Sequence, residues 1–525
     1  MSEHRLSDDE VSRFIVDGYH RVDTDLPPEL HEHITSQMQE HITEGVNPGD
    51  NILPLIPEMY QVLESPEMRS ALESLYGKNY MIMPHRHTHE LNNNDDGSGR
   101  TCLHYFFHQD SCASPAHNCH HYPRHGLILY YCQDVDIDFG PTHVIPGTQY
   151  NRGLQKEDSE NAVAGVAKPG TAYITHFDIG HGAGVNRRDD ETRYMTKFVV
   201  TRCQEPNKSD WNNQREHWQM PDGTTTLYPN EIGWCHIWDW MRGEDERSAS
   251  WHNQIDETTA VILSSADNAE ERVRSIKAIS RLTHVDDEAI ATLISSLDEG
   301  DQIVRNAAIY GLAAIGEKAV PALIEHLQSC KTGEEKPSMM TRPPGWGNPM
   351  VMEDAGLALS ALGEPAVPAL IELLEENTAS EWAQINAAFA LGDIGKPAAK
   401  SLPTLVSLLS RSPHIAEAAL DAMGTIEGDL GPVLDPVADM MNDRDIDDDR
   451  KAAPLKAAMM LARVGQGAEA VEEKLLQAMT SHSYHIRYSA AHALNRIGSE
   501  AANKAVYDFL LYSSWSPDVE GASKK

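Results

Sequence analysis

The chain has 525 residues, long enough for two or more domains, and 40% of them are hydrophobic, too many for a disordered chain. Its 43 basic and 80 acidic residues give a formal net charge of −37, a field that repels phosphate backbones and argues against nucleic acid as a partner. No run of about 18 apolar residues occurs, so no membrane span is expected. The plain reading of the charge is a highly soluble surface; the sharper one, a basic partner, has less behind it. The opening MSEHRLSDDE lacks the basic and apolar regions of a secretory signal, and a cytoplasmic location is expected. Seven cysteines (Cys102, Cys112, Cys119, Cys132, Cys203, Cys235 and Cys330) form an odd set without a C-x-x-C pair. Reduced thiols fit this better than a disulfide framework.

In chain order, Ser7 and Glu10 have capping-box spacing, so a helix should start at Ser7 and bury Val11, Phe14 and Ile15. Short β-branched and aromatic runs follow at 79–87, 101–110, 125–135, 142–148, 170–178 and 193–202. Split by Gly and Pro, they predict an antiparallel double sheet. His108 and Asp110 are two apart, so on a strand they share a face and can chelate one metal. A third ligand from a distant strand would complete a facial triad with positions left open for co-substrate and O₂. His181, in the Gly-rich GHGAGVN, is the best candidate. Arg193 follows twelve residues later, and its fork suits a terminal carboxylate.

Alone, H-x-D is weak, since His176 and Asp178 repeat it; these two are expected to point outward or to stand behind the site. His104 shares a strand face with His108, as a pocket-lining group or a packed core histidine. The segment after Asp110 offers Cys112, His117, Cys119, His120, His121 and His125. Their spacing fits no structural zinc pattern well, and a substrate-facing loop with packed histidines is favoured. Trp211, Trp218, Trp234, Trp238 and Trp240 read as core or inter-domain packing rather than a ligand cage.

The order of motifs is the specific signal. FIVDGYHRV, HQD, DFGPTHVIPGTQY and HGAGVNRRDDETR follow one another as in the phytanoyl-CoA dioxygenase family of 2-oxoglutarate oxygenases, which segment 5–205 resembles. The resemblance implies a double-stranded β-helix (jelly-roll) with iron(II) on His108, Asp110 and His181. It places 2-oxoglutarate on Arg193, with Thr142 giving its hydroxyl to the same co-substrate, and O₂ as oxidant. Succinate and CO₂ would be the co-products. Asp110 occupies the position that related halogenases leave to a small residue, so hydroxylation is favoured, with desaturation or ring formation as alternatives. Two departures stand out: the gap from His181 to Arg193 is one residue longer than usual, and Gln149 replaces a histidine after Pro-Gly-Thr.

After about residue 255 the composition changes to long Ala- and Leu-rich segments, with a boundary expected within Ser248–Glu257. Ala307–Gly316, Ala355–Gly363, Ala387–Gly395, Ala418–Ile426, Ala457–Gly465 and Ala490–Gly498 are copies of one pattern, with a weaker copy at Ser275–Leu282. Gly363 and Gly395 lie 32 residues apart, Gly465 and Gly498 33. Each copy is followed by a second apolar helix, often opened by Pro. This period predicts an all-α solenoid of seven helix pairs. The pattern resembles HEAT repeats, especially the short kind found in bilin lyases. An insertion rich in Pro, Gly and Met at about 331–353 is either a tolerated loop or a segment folding over the oxygenase mouth or gripping a partner.

The expectation is therefore a multidomain protein, with an oxygenase over 1–250 and a solenoid over 256–515. It would hydroxylate an unactivated C–H of a small-molecule or carrier-bound metabolite, with the solenoid shaping a substrate or partner surface. The competing expectations are a catalytically silent HEAT scaffold that binds proteins, and a hydroxylase of a protein docked on the solenoid.

Overall fold

The computed structural model describes residues 5–42, 46–102, 107–110, 121–244, 273, 276, 287–330, 352–376, 378–443 and 452–513. Helix α1 (Asp8–Asp17) starts where the capping box predicts. The Ser7 side chain accepts from the Glu10 amide, and the Glu10 carboxylate accepts from the Ser7 amide at 2.8 Å. Val11, Phe14 and Ile15 are buried. The helix stops at Gly18, whose φ of 79° is a left-handed conformation that disfavours any side chain. A Cβ there would also strike Gln149. That glutamine donates to the Ile15 and Val16 carbonyls, each at 3.1 Å, so its amide closes the helix end.

Among the described residues eight strands follow: β1 (Tyr19–Asp23), β2 (Tyr80–Leu91), β3 (His125–Tyr130), β4 (Thr142–Ile145), β5 (Val163–Ala164), β6 (Thr171–His176), β7 (Gly180–Ala183) and β8 (Arg193–Arg202). They form the two antiparallel sheets of a jelly-roll, ordered β1-β6-β3-β8-β2 and β5-β4-β7. In the run at 101–110, residues 103–106 lie outside the described residues; Cys102 bridges to Gly184 and His108 to His181. Strand β7 was not foreseen, because GHGA has no apolar alternation to read.

Alternation splits the larger sheet into two buried faces. One carries Ile128, Tyr130, Ile174, Phe198 and Val200 and packs under α1, α2 (Pro28–His41), α3 (Ile52–Leu55), α4 (Met59–Leu63), α5 (Pro66–Tyr76) and α6 (Glu231–Met241). Trp211, Trp234 and Trp238 fill this layer, with Trp218 and Trp240 at its edge, so the tryptophans are core. The other face carries Leu127, Leu129, Tyr131, Tyr173, Met195 and Val199 and lines the barrel interior.

The second half is a helical repeat. Helix α7 (Asp287–Ser296) precedes six pairs: α8 (Gln302–Ile315) with α9 (Val320–Ser329), α10 (Asp354–Leu362) with α11 (Val367–Glu375), α12 (Glu381–Ile394) with α13 (Leu402–Leu408), α14 (Pro413–Met423) with α15 (Gly431–Asn442), α16 (Ala452–Val464) with α17 (Glu472–Ala478), and α18 (Tyr484–Ile497) with α19 (Glu500–Ser513). Small residues on the first helices allow close stacking: Ala387, Ala388 and Ala390 on α12, and Ala418, Ala419 and Ala422 on α14, are all buried. The copy at 275–282 apart from Ile276, the boundary at 248–257 and nearly all of the insertion at 331–353 lie outside the described residues. Among the described residues no single helix is long and apolar enough to cross a membrane, and Cys102, Cys132, Cys203, Cys235 and Cys330 are free thiols.

The first helices of successive repeats face the jelly-roll. Tyr310 of α8 bonds His121 at 2.6 Å, and Glu353, just before α10, pairs with Arg152 at 2.6 Å. Asp393 of α12 pairs with Arg124 at 2.5 Å, and Arg463 of α16 with Glu205 at 3.0 Å. Met459 and Ala462 of α16 join the barrel's own apolar cluster. Tyr484 of α18 accepts from Arg86 at 3.3 Å, and His485 lies 3.1 Å from Asp50.

Candidate active site

His108 and His181 are brought opposite each other by two backbone hydrogen bonds, each 2.9 Å, between the HQD segment and β7. Their rings lie 4.4 Å apart, centroid to centroid. Asp110, two residues on, turns to the same side. Its oxygens lie 3.6 Å from His108 Nε2 and 3.9 Å from His181 Nε2. One donor atom from each of the three falls within 4.8 Å of the others, close enough for one metal ion. Among the described residues this is the single such group of three His, Cys, Asp or Glu side chains.

The middle residue fixes the motif. Gln109 points away from the metal side and donates to the Thr148, Asn151 and Asp178 carbonyls at 3.1, 3.0 and 2.9 Å. His181 Nδ1 bonds the Ile179 carbonyl at 3.0 Å, which places the proton on Nδ1 and leaves the Nε2 lone pair for a cation. Burial, then the neighbouring His108, push His181 down to about 4, so it is neutral at pH 7. Burial alone would raise Asp110. The Lys197 ammonium, 2.8 Å away, and the two imidazoles outweigh it and hold the carboxyl well below its ordinary value.

Arg193 opens β8 on the barrel-interior face and is buried. Its Nε donates to the Gly140 carbonyl at 3.0 Å and an Nη to the His89 carbonyl at 3.2 Å. No carboxylate among the described residues pairs with it, and burial lowers its pKa. A buried guanidinium met only by neutral acceptors is suited to an anionic ligand. Thr142 lies on the neighbouring segment: its amide donates to the Tyr131 hydroxyl at 2.9 Å. Strand pairing sets Thr142 opposite Ala183 and Val144 opposite His181, so Thr142 shares the His181 face. The turn between His181 and Arg193 holds the extra residue. Asn186 donates to the Leu91 and Glu191 carbonyls and accepts from Arg188, while Asp190 takes a left-handed φ of 61°.

His176 and Asp178 take the second of their two expected places: both are buried, and the Asp178 carbonyl stands behind the site and receives Gln109. His121 and His125 are packed histidines, as favoured, bonded to Tyr310 and Thr201. His104, Cys112, His117, Cys119 and His120 lie outside the described residues. Lys197 was missed altogether, although it stands four residues after Arg193 on a strand and hence on the same face.

Fold and donor set together define a non-haem iron oxygenase domain, and the residues fit the metal: two imidazoles and one carboxylate on one side of a cation, as iron(II) takes in a facial triad. Residues 29–229 match the phytanoyl-CoA dioxygenase (PhyH) family, and residues 257–336, 367–455 and 446–523 match HEAT repeats. The chain thus joins the domain of a 2-oxoglutarate-dependent non-haem iron dioxygenase to a HEAT solenoid. The family match begins after α1 and β1, which the sequence resemblance had taken in. No curated relative matches the sequence. Among solved structures, the chain is 16% identical to the non-heme alpha ketoglutarate dependent epimerase SnoN from nogalamycin biosynthesis, with a TM-score of 0.29 over 37% of this chain and 82% of that one. It is 15% identical to EctD from S. alaskensis with 2-oxoglutarate and 5-hydroxyectoine, with a TM-score of 0.32 over 42% and 85%. The assignment rests on the family match and the site geometry.

Proposed function

We propose that this dioxygenase hydroxylates an unactivated C–H bond of a small-molecule or carrier-bound metabolite, with iron(II) on His108, Asp110 and His181. The observation that carries the reading is the convergence of these three donors from separate segments, with His181 Nε2 freed by the Nδ1 bond to Ile179. Bound iron, 2-oxoglutarate and O₂ supply the oxidising chemistry. The chain supplies position and environment. Arg193 takes the far carboxylate of the co-substrate by charge-assisted hydrogen bonds, and Thr142 adds its hydroxyl from the adjacent strand. Gln109 keeps His108 and Asp110 on one face. The apolar wall of Leu129, Tyr131 and Met195 excludes water from the interior.

The solenoid of residues 256–515 acts, in this reading, as a brace for the oxygenase of residues 1–250. What supports this is the row of contacts from α8 to α18, made by the face that a HEAT array would otherwise offer to a partner. A protein substrate would have to dock elsewhere.

The test is anaerobic iron titration followed by succinate formation from 2-oxoglutarate. Wild-type protein should do both. Asp110→Ala should weaken iron binding by about a hundredfold, one charged ligand being lost, and should form no succinate. Succinate formation by Asp110→Ala at the wild-type rate sinks the assignment.

A further inference from the structure

Lys197 is a second buried cation inside the barrel, and the two cations have separate positions. Arg193 is held at the Gly140 and His89 carbonyls, whereas the Lys197 Nζ lies on Asp110 Oδ2 at 2.8 Å. Four strand residues separate their backbones by roughly 13 Å, so the pair is not a single carboxylate clamp. Beside Lys197 stands a wall of donors. His87 is its partner across β2 and β8, His89 lies opposite Met195, and the His87 and His89 rings meet edge-on at 4.9 Å. His85 completes the row, 3.6 Å from Asp50 at the rim. Burial, then the Lys197 charge, depress all three imidazoles. The acids near this wall are two: Asp110, and Asp50, which is already bonded by the Arg86 amide and His485.

The charges leave one position unfilled. Asp110 is shared between Lys197 and the metal site, so iron(II), Asp110, a dianionic co-substrate, Arg193 and Lys197 sum to one positive charge. A net buried positive charge is costly, and the imidazole N–H groups beside Lys197 favour an oxyanion. We infer that Lys197, flanked by His85, His87 and His89, anchors the prime substrate by an oxyanion, so that the substrate class is a small organic acid, either a carboxylate or a phosphate monoester. This rests on the dioxygenase reading, and it makes Lys197 a specificity residue for the reaction. Neutral or cationic metabolites are rejected because they leave the net positive charge of the site uncompensated.

The experiment uses the full chain loaded with nickel(II) in place of iron and N-oxalylglycine in place of 2-oxoglutarate, so that nothing turns over. Calorimetry then follows short-chain alkyl carboxylates, alkyl phosphate monoesters and primary amides of the same chain lengths. One acid series should bind at least tenfold tighter than the amides, and the series that binds assigns the oxyanion. Lys197→Met should remove that preference, and Lys197→Arg should keep most of it. Acids and amides that behave alike, including neither binding at millimolar concentration, overturn the inference, as does wild-type acid affinity in Lys197→Met. So does a Lys197→Met protein whose loss is of N-oxalylglycine rather than of the acid, which would put the lysine on the co-substrate. Failure of the wild-type protein to take nickel or N-oxalylglycine would instead sink the dioxygenase reading.

Discussion

Gln109 shows why one H-x-D motif faces a third donor and the other does not. Both have the same spacing, which on extended backbone puts the two side chains on one face. At 108–110 the intervening amide is anchored on three carbonyls, and that face looks across to His181. His176 lies on β6 at the helix-covered side, with its own amide bonded to the Gly18 carbonyl. Spacing in sequence gives which residues share a face; only the neighbouring strands decide where that face looks. Arg193 was legible because it follows the Gly-rich His181 segment by twelve residues and opens a strand, and Lys197 was available to a parity argument on that strand. For Arg193→Met, loss of a charge-assisted pair worth about 1.5–3 kcal/mol should raise the KM for 2-oxoglutarate by roughly ten- to a hundredfold. Nickel affinity measured without co-substrate should stay near wild type, because Arg193 touches none of the three ligands. A KM within twofold of wild type would remove Arg193 from the co-substrate site.

At the scale of elements, the helices were read more surely than the strands. The solenoid's period is carried by local signals: Gly316, Gly363 and Gly395, at φ of 84°, 82° and 71°, each end a first helix before a proline-opened second one. Strands β5 and β7 are too short to alternate and exist through their pairing with β4. Nor does any local pattern announce the joint between the halves. Arg124, beside β3, donates to both Glu205 oxygens at 2.9 Å and to the Asp393 carboxylate and carbonyl at 2.5 and 2.9 Å. Removing this cation strands Asp393 and leaves Glu205 with Arg463 alone, so Arg124→Met should cost about 3–5 kcal/mol. The shift of the urea midpoint measures it, and a shift worth under 1 kcal/mol would mean that water reaches the cluster.

Across the whole molecule, the interface holds two buried carboxyls that burial raises. Burial pushes Asp421 up to about 7 and Asp393 up to about 6, against an ordinary value of 3.8. The groups facing Asp421 are Lys456 and Arg463, which pull it down, and Glu417, which pushes it up. Folding therefore favours the protonated acids. The stability they contribute is full below pH 4 and is lost as pH rises through 6 to 7. Asp421→Asn cannot lose that contribution, so its melting temperature should gain on the wild-type value between pH 5 and pH 8. Parallel curves for the two proteins would show that Asp421 ionises normally.

The solenoid touches the jelly-roll through α8 near one end and α18 near the other, with contacts between. A repeat array gripping a separate partner can gain or lose a unit and slide its surface along by one step. Here the array and its cargo are one chain, and each repeat is matched to its own residue on the barrel. An added pair of helices between α12 and α16 would carry Tyr484 and His485 away from Arg86 and Asp50. The repeat count is therefore locked by the extent of the domain it touches, and length variation is admissible only where the count is left unchanged, as at 331–353 between α9 and α10.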